Sequence, residues 1–64
     1  MSVADNVKKY RKMRKYSQQK LASTCNIAIS TLQKIEQGKH TNPSLSVMLE
    51  LSKALNVPID KLAK

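Results

Sequence analysis

The sequence predicts an all-α domain of five helices, and three observations carry that prediction. Apolar residues recur at three- and four-residue spacing in five separate stretches, serine stands in front of three of them (Ser2, Ser17, Ser44), and no stretch alternates apolar and polar residues as a half-buried strand would. The 64 residues make one domain, 1–64, with no repeat, linker or low-complexity tract inside it.

The first helix starts near Val3 and runs to about Arg14. Ser2 with Asp5 three positions on resembles a capping box with the shorter acid, and Val3, Val7, Tyr10 and Met13 form an apolar stripe. Tyr16 sits where the chain turns and is read as a core plug. Ser17 can cap a second helix that puts Leu21, Ala22 and Cys25 on one face. Asn26 ends that helix, because a sharp reversal needs the left-handed conformation and asparagine reaches it cheaply. A third helix follows at once, from about Ile29 to Gln37. Its inward face is narrow, made of Ile29, Leu32 and Ile35, while Ser30, Gln33, Lys34 and Gln37 occupy the facing side and Gly38 closes the end.

Asn42 precedes Pro43 and is thereby held out of helical geometry, so KHTNP forms a loop. Ser44 opens a fourth helix whose Leu45, Met48, Leu49, Leu51, Ser52 and Leu55 make a broad inward face, and Asn56 ends it. Val57 to Leu62 read as a last short helix, with Pro58 in its opening turn and Ile59 and Leu62 packed back on the core.

Twelve Lys and Arg against four Asp and Glu leave a net charge of +8, a field that favours polyanions and nucleic acid first. Residues 1–20 hold seven of the cations, Lys8, Lys9, Arg11, Lys12, Arg14, Lys15 and Lys20, against Asp5 alone. Lys8, Lys12 and Lys15 share a helix face on which like charges repel by roughly a few tenths of a kcal/mol per pair. That face is either simply solvated or turned to phosphate. Two Tyr with no Phe or Trp leave no aromatic platform for single strands, so a duplex is the favoured partner.

Other classes are poorly supplied. One Cys excludes an internal disulfide, and one Cys with one His is too few for a zinc site. Cys25 is read as a small core residue. Glu36 has no second carboxylate, metal ligand or nucleophile around which an enzyme could be built, and no cofactor is expected. No apolar run nears the roughly 20 residues that span a bilayer, and no signal core follows the N-terminal lysines. A cytoplasmic, nucleoid-associated protein is expected. Adhesion of helix one to an anionic membrane would require an exposed apolar face, and Val3, Val7 and Tyr10 are needed for the core.

Three segments together are recognisable: YRKMRKYSQQKLA, STLQKIEQG and NPSLSVMLELSKALNVPIDKL. From about Val7 to Leu62 the chain resembles the phage repressor and Cro-type (XRE-like) helix-turn-helix family, with Arg11, Ser17, Gln18, Leu21, Ala22, Glu36 and Gly38 in register. The resemblance implies a compact five-helix bundle, a lambda-repressor-like DNA-binding domain in which helix two lies across the DNA backbone and helix three enters the major groove. It assigns Gln18, Ile29, Ser30, Thr31, Gln33 and Lys34 to base contacts. It assigns the loop residues Lys39, His40, Thr41 and Asn42 to phosphates, and Arg11, Ser17, Lys20 and Gln37 are expected to join them there. It also pairs Arg11 with Glu36 inside the fold. The chemistry suits these roles, since Gln can bond adenine in a bidentate manner, Lys can donate to guanine O6 and N7, and Ile29 can pack on thymine methyls.

Four positions depart from the family. Asn26 and Lys15 stand where Gly is usual, and the lysine costs about 1 kcal/mol in a left-handed conformation. Lys20 replaces an acid at the start of helix two, and Ala28 replaces a polar cap on helix three.

The function expected is that of a sequence-specific, double-stranded DNA-binding transcriptional regulator, a repressor, acting as a homodimer on a two-fold operator with half-sites about 34 Å apart. The dimer contact is expected around Val57 and Pro58. The alternative is a helix-turn-helix protein-interaction module, adaptor or antitoxin-like, which would expose apolar residues on helix three.

Overall fold

The computed structural model describes residues 2–39 and 43–63. Five helices are present: α1 (Val3–Met13), α2 (Gln18–Cys25), α3 (Ile29–Glu36), α4 (Leu45–Leu55) and α5 (Ile59–Ala63). The described residues contain no strand. Serine starts three of the helices as the sequence predicts. Ser2 Oγ accepts from the Asp5 N–H at 3.2 Å, Ser17 Oγ from Lys20 at 3.0 Å and Ser44 Oγ from Val47 at 3.3 Å. Each bond satisfies a donor that has no partner within the helix. α3 begins at Ala28 without any side-chain cap.

The first four helices end alike. Lys15, Asn26, Gly38 and Asn56 all take left-handed backbone angles, with φ of 59°, 58°, 79° and 56°. After each of these residues a backbone N–H reaches five residues back: Tyr16 to Arg11 at 3.1 Å, Ile27 to Ala22 at 3.0 Å, Lys39 to Lys34 at 2.9 Å and Val57 to Ser52 at 3.1 Å. This is the Schellman closure, which satisfies carbonyls that the helix leaves open. Tyr16, Ile27 and Val57, the residues following three of these turns, pack against the core, so each turn is also anchored by an apolar side chain. Pro58 precedes α5 rather than lying within it, and its carbonyl accepts from the Lys61 N–H at 3.0 Å.

One core joins the helices. Val7, Leu21, Leu32, Leu51, Leu55 and Leu62 are fully buried, one or two from each helix, with Ala22, Cys25, Ile35 and Met48 around them. α1 packs on α3, α4 and α5, and α2 packs on α3 and α4. Two polar contacts, one buried and one partly buried, tie distant segments together. Asn6 Nδ2 donates to the Leu62 carbonyl at 3.0 Å, fastening α1 to α5, and Arg14 Nε donates to the Leu55 carbonyl at 3.0 Å, fastening the end of α1 to that of α4.

Four residues expected on inward faces are exposed instead: Met13 (66%), Ile29 (41%), Leu45 (69%) and Leu49 (43%). Met13 is the last residue of α1 and lies about 120° around the helix from Val7, at 100° per residue. Leu45 and Leu49 stand about 120° and 160° from Leu51, beyond the arc that Met48, Leu51 and Leu55 bury. The six inward residues expected of α4 span more of the helix than its neighbours can cover. Ile29 has a core-facing direction but is the first residue of α3, where it borders an open cleft with Gln19, Ala22, Ser23 and Ile27.

Candidate nucleic-acid interface

The tight turn between α2 and α3 is built by Asn26 in its left-handed conformation, with Ile27 seated on the core. That anchor fixes the angle between the two helices. Leu21, Ala22 and Cys25 of α2 and Leu32 and Ile35 of α3 supply the apolar faces that close the pair. Once Leu32, Ile35 and Glu36 are buried, α3 presents Ser30 and Lys34 as exposed residues, Thr31 and Gln33 as half-buried ones, and Gln37 exposed just beyond its end.

A charged knot under this surface joins three helices. Arg11 of α1 donates through Nε to Glu36 Oε2 at 2.7 Å and through Nη2 to Oε1 at 3.1 Å, while Nη1 donates to the Tyr16 carbonyl at 2.9 Å. Gln18, the first residue of α2, donates through Nε2 to the same Glu36 Oε1 at 3.1 Å. Glu36, the last residue of α3, is 3% exposed at its side chain and Arg11 12%. The two-pronged geometry suits guanidinium and carboxylate, and a carboxylate buried this deeply requires its partners. The Arg11–Glu36 pair is therefore the structural pair expected from the sequence, and it is the only salt bridge among the described residues. The third participant, Gln18, was not expected there. Its side chain is half-buried and held by one amide proton, which leaves the other proton and the carbonyl oxygen available.

The remaining predicted contact residues fall into three groups. Ser17, Lys20, Gln37 and Lys39 are exposed, although the Ser17 hydroxyl already caps α2. The expectations for His40, Thr41 and Asn42 lie outside the described residues. Arg11 is committed inside the fold at all three of its nitrogens. Sequence reading assigned no role to Asn6 or to the guanidinium of Arg14, and spacing carries no signal for either, because both bond to backbone carbonyls more than forty residues along the chain.

The Cys25 thiol is buried and has its pKa pushed up to about 11, chiefly by burial and then by the negative charge of Glu50. A thiol so placed stays neutral and acts as a small apolar residue. The described residues contain no group of three or more His, Cys, Asp or Glu that could hold a metal ion. None of the described helices is long and apolar enough to cross a membrane.

A family model described as helix-turn-helix matches residues 7–62, the span over which the sequence pattern is recognisable. The chain belongs to this helix-turn-helix family. The HTH-type transcriptional regulator SlrR of Bacillus subtilis (strain 168) is 39% identical over 56 residues, covering 88% of this chain and 37% of that protein. The HTH-type transcriptional regulators SinR of Bacillus subtilis (strain 168) and Bacillus licheniformis are each 35% identical over 60 residues, covering 94% of this chain and 54% of theirs. The helix-turn-helix chain thus spans about half or less of the length of these curated relatives. No solved structure gives a significant match.

Proposed function

We propose that this helix-turn-helix chain is the operator-reading domain of a DNA-binding transcriptional regulator, a repressor that inserts α3 into the major groove and binds as a homodimer. The observation that carries this reading is the pairing of a polar outer face on α3 with a rigid support beneath it. Ser30, Thr31, Gln33 and Lys34 offer hydrogen-bonding groups outward, while Glu36 at the end of the same helix is locked to α1 and α2. A reader of base edges has to hold such groups in a fixed position, because each correct bidentate contact contributes about 1–3 kcal/mol of discrimination only when its geometry is met.

In this reading Lys34 and Gln33 discriminate bases, Ile29 packs on thymine methyls, and Gln18 fixes the docking angle with its free amide proton. Ser17, Lys20, Gln37 and Lys39 meet phosphate, as do His40, Thr41 and Asn42, and Arg11 acts by holding Glu36. The uncapped N-terminus of α3 leaves early backbone donors for the DNA. Working at the nucleoid in the cytoplasm follows from such a role. The alternative of an adaptor or antitoxin-like module would place an apolar surface on α3, where Ile29 is the exposed large apolar residue.

Selection of sites from a random duplex pool, followed by mobility-shift titration, tests the proposal. The expected outcome is a palindromic site with half-sites about 34 Å apart, bound more tightly than scrambled duplex. Equal affinity for selected and scrambled duplexes would refute it.

A further inference from the structure

Seven of the twelve cations lie in residues 1–20, and four of them, Lys8, Lys9, Arg11 and Lys12, are on α1, which is neither helix of the helix-turn-helix pair. Lys8, Lys9 and Lys12 lie on its outer side, Lys8 half-buried and the other two exposed, with no salt bridge to any of them among the described residues. Asp5 shares that side, three residues before Lys8 and four before Lys9, without a salt bridge to either. Lys8 and Lys12 are four residues apart and repel each other by roughly a few tenths of a kcal/mol.

The contacts of α1 orient this row. Arg11 bonds to Glu36, so α3 lies on the Arg11 flank of the helix, and Asn6 bonds to the Leu62 carbonyl, so α5 lies on the Asn6 flank. At 100° per residue, Lys8 and Lys12 fall about 60° and 100° from Arg11 in the direction away from Asn6. Lys9 falls about 160° from Arg11, near the α5 flank, where its ammonium lies 5.4 Å from the centre of the Tyr10 ring. Lys8 and Lys12 therefore lie on the outer face of α1 on the side of Arg11, the residue that gathers Glu36 of α3.

We infer that Lys8 and Lys12 of α1 form a second, sequence-independent phosphate-binding surface that grips duplex DNA beside the groove occupied by α3. This inference rests on the DNA-reading role proposed above. A phosphate between the two ammonium groups turns their mutual repulsion into attraction. Phosphate contacts of this kind fix position and raise affinity for every sequence equally.

The test compares K8Q, K12Q and K9Q in the whole chain, each variant losing one charge. Binding to a selected duplex and to a scrambled duplex is measured by fluorescence anisotropy over a salt series. K8Q and K12Q are each expected to reduce the slope of log K against log salt by about 0.9 on both duplexes, with K9Q leaving it unchanged and the ratio between duplexes preserved. The inference is overturned if K8Q and K12Q leave the slope as in the unaltered chain, or if K9Q lowers it equally, which would mark a general field effect. The unaltered chain reports separately on the reading role. If it shows no preference between duplexes while the slope changes follow, sequence reading fails and the phosphate surface stands. If it binds neither duplex, both proposals fall.

Discussion

Substitution of Arg11 by methionine tests the idea that the buried charged knot holds the helix-turn-helix in shape. Arg11→Met removes two charge-assisted bonds to Glu36 and one to the Tyr16 carbonyl, and leaves a carboxylate with 3% side-chain exposure supported by Gln18. Breaking a buried pair from one side costs about 3–5 kcal/mol, because the remaining charge is uncompensated. At about 0.05–0.15 kcal/mol per residue, a domain of this size has roughly 3–10 kcal/mol of stability to lose. The variant should therefore be severely weakened. Removing the charge as well, in Arg11→Met with Glu36→Met, relieves the stranded carboxylate, so the double variant should be more stable than Arg11→Met alone. Urea denaturation followed by circular dichroism measures all members of this double-mutant cycle. A cost below about 1 kcal/mol for Arg11→Met, as for an exposed pair, would refute the reasoning. A double variant that loses the sum of the two single losses would refute it as well.

Other outcomes follow from the same geometry. Lys34→Ala should flatten preference among operator variants by about 1–3 kcal/mol, whereas Lys39→Ala should weaken all duplexes alike and reduce the salt slope by about 0.9, both read by anisotropy titration. Lys15→Gly should raise stability by about 1 kcal/mol, since φ of 59° suits glycine better than lysine, and a denaturation midpoint that does not rise would contradict this. For Cys25, the folded state favours the neutral thiol, so its contribution is fully present below the ordinary value of 9.0 and is lost as pH rises towards about 11. At about 1.4 kcal/mol per pH unit that loss reaches up to roughly 3 kcal/mol, and Cys25→Ala should abolish this part of the alkaline decline in stability. Native Cys25 should also react slowly with iodoacetamide until the chain unfolds, as mass spectrometry of a time course can show.

The helices were legible because local chemistry specifies them. Ser2, Ser17 and Ser44 mark starts and Asn26, Gly38 and Asn56 mark ends through side-chain oxygens and backbone freedom that act within a few residues. The Arg11–Glu36 pair was also legible, through the family pattern that sets the two residues in register. Lys15 shows where local preference gives way. Nothing intrinsic to lysine favours a left-handed turn, but the turn seats Tyr16 on the core and sends α2 back across the bundle, and tertiary packing outweighs a strain of about 1 kcal/mol.

By itself the sequence determined the five helices, the order in which they follow, the cationic bias of α1 and the polar character of α3, all of which depend on residues close together in the chain. Only the tertiary structure decided which apolar residues are covered. Leu45 and Leu49 repeat at helical spacing like Leu51 and Leu55, and their exposure depends on how much of α4 the neighbouring helices reach. It also decided that Asn6 and Arg14 fasten helix ends and that Gln18 shares Glu36 with Arg11. Each of these bonds joins residues eighteen or more positions apart, and their meeting is fixed by how the helices pack around one core rather than by the chemistry of either residue alone.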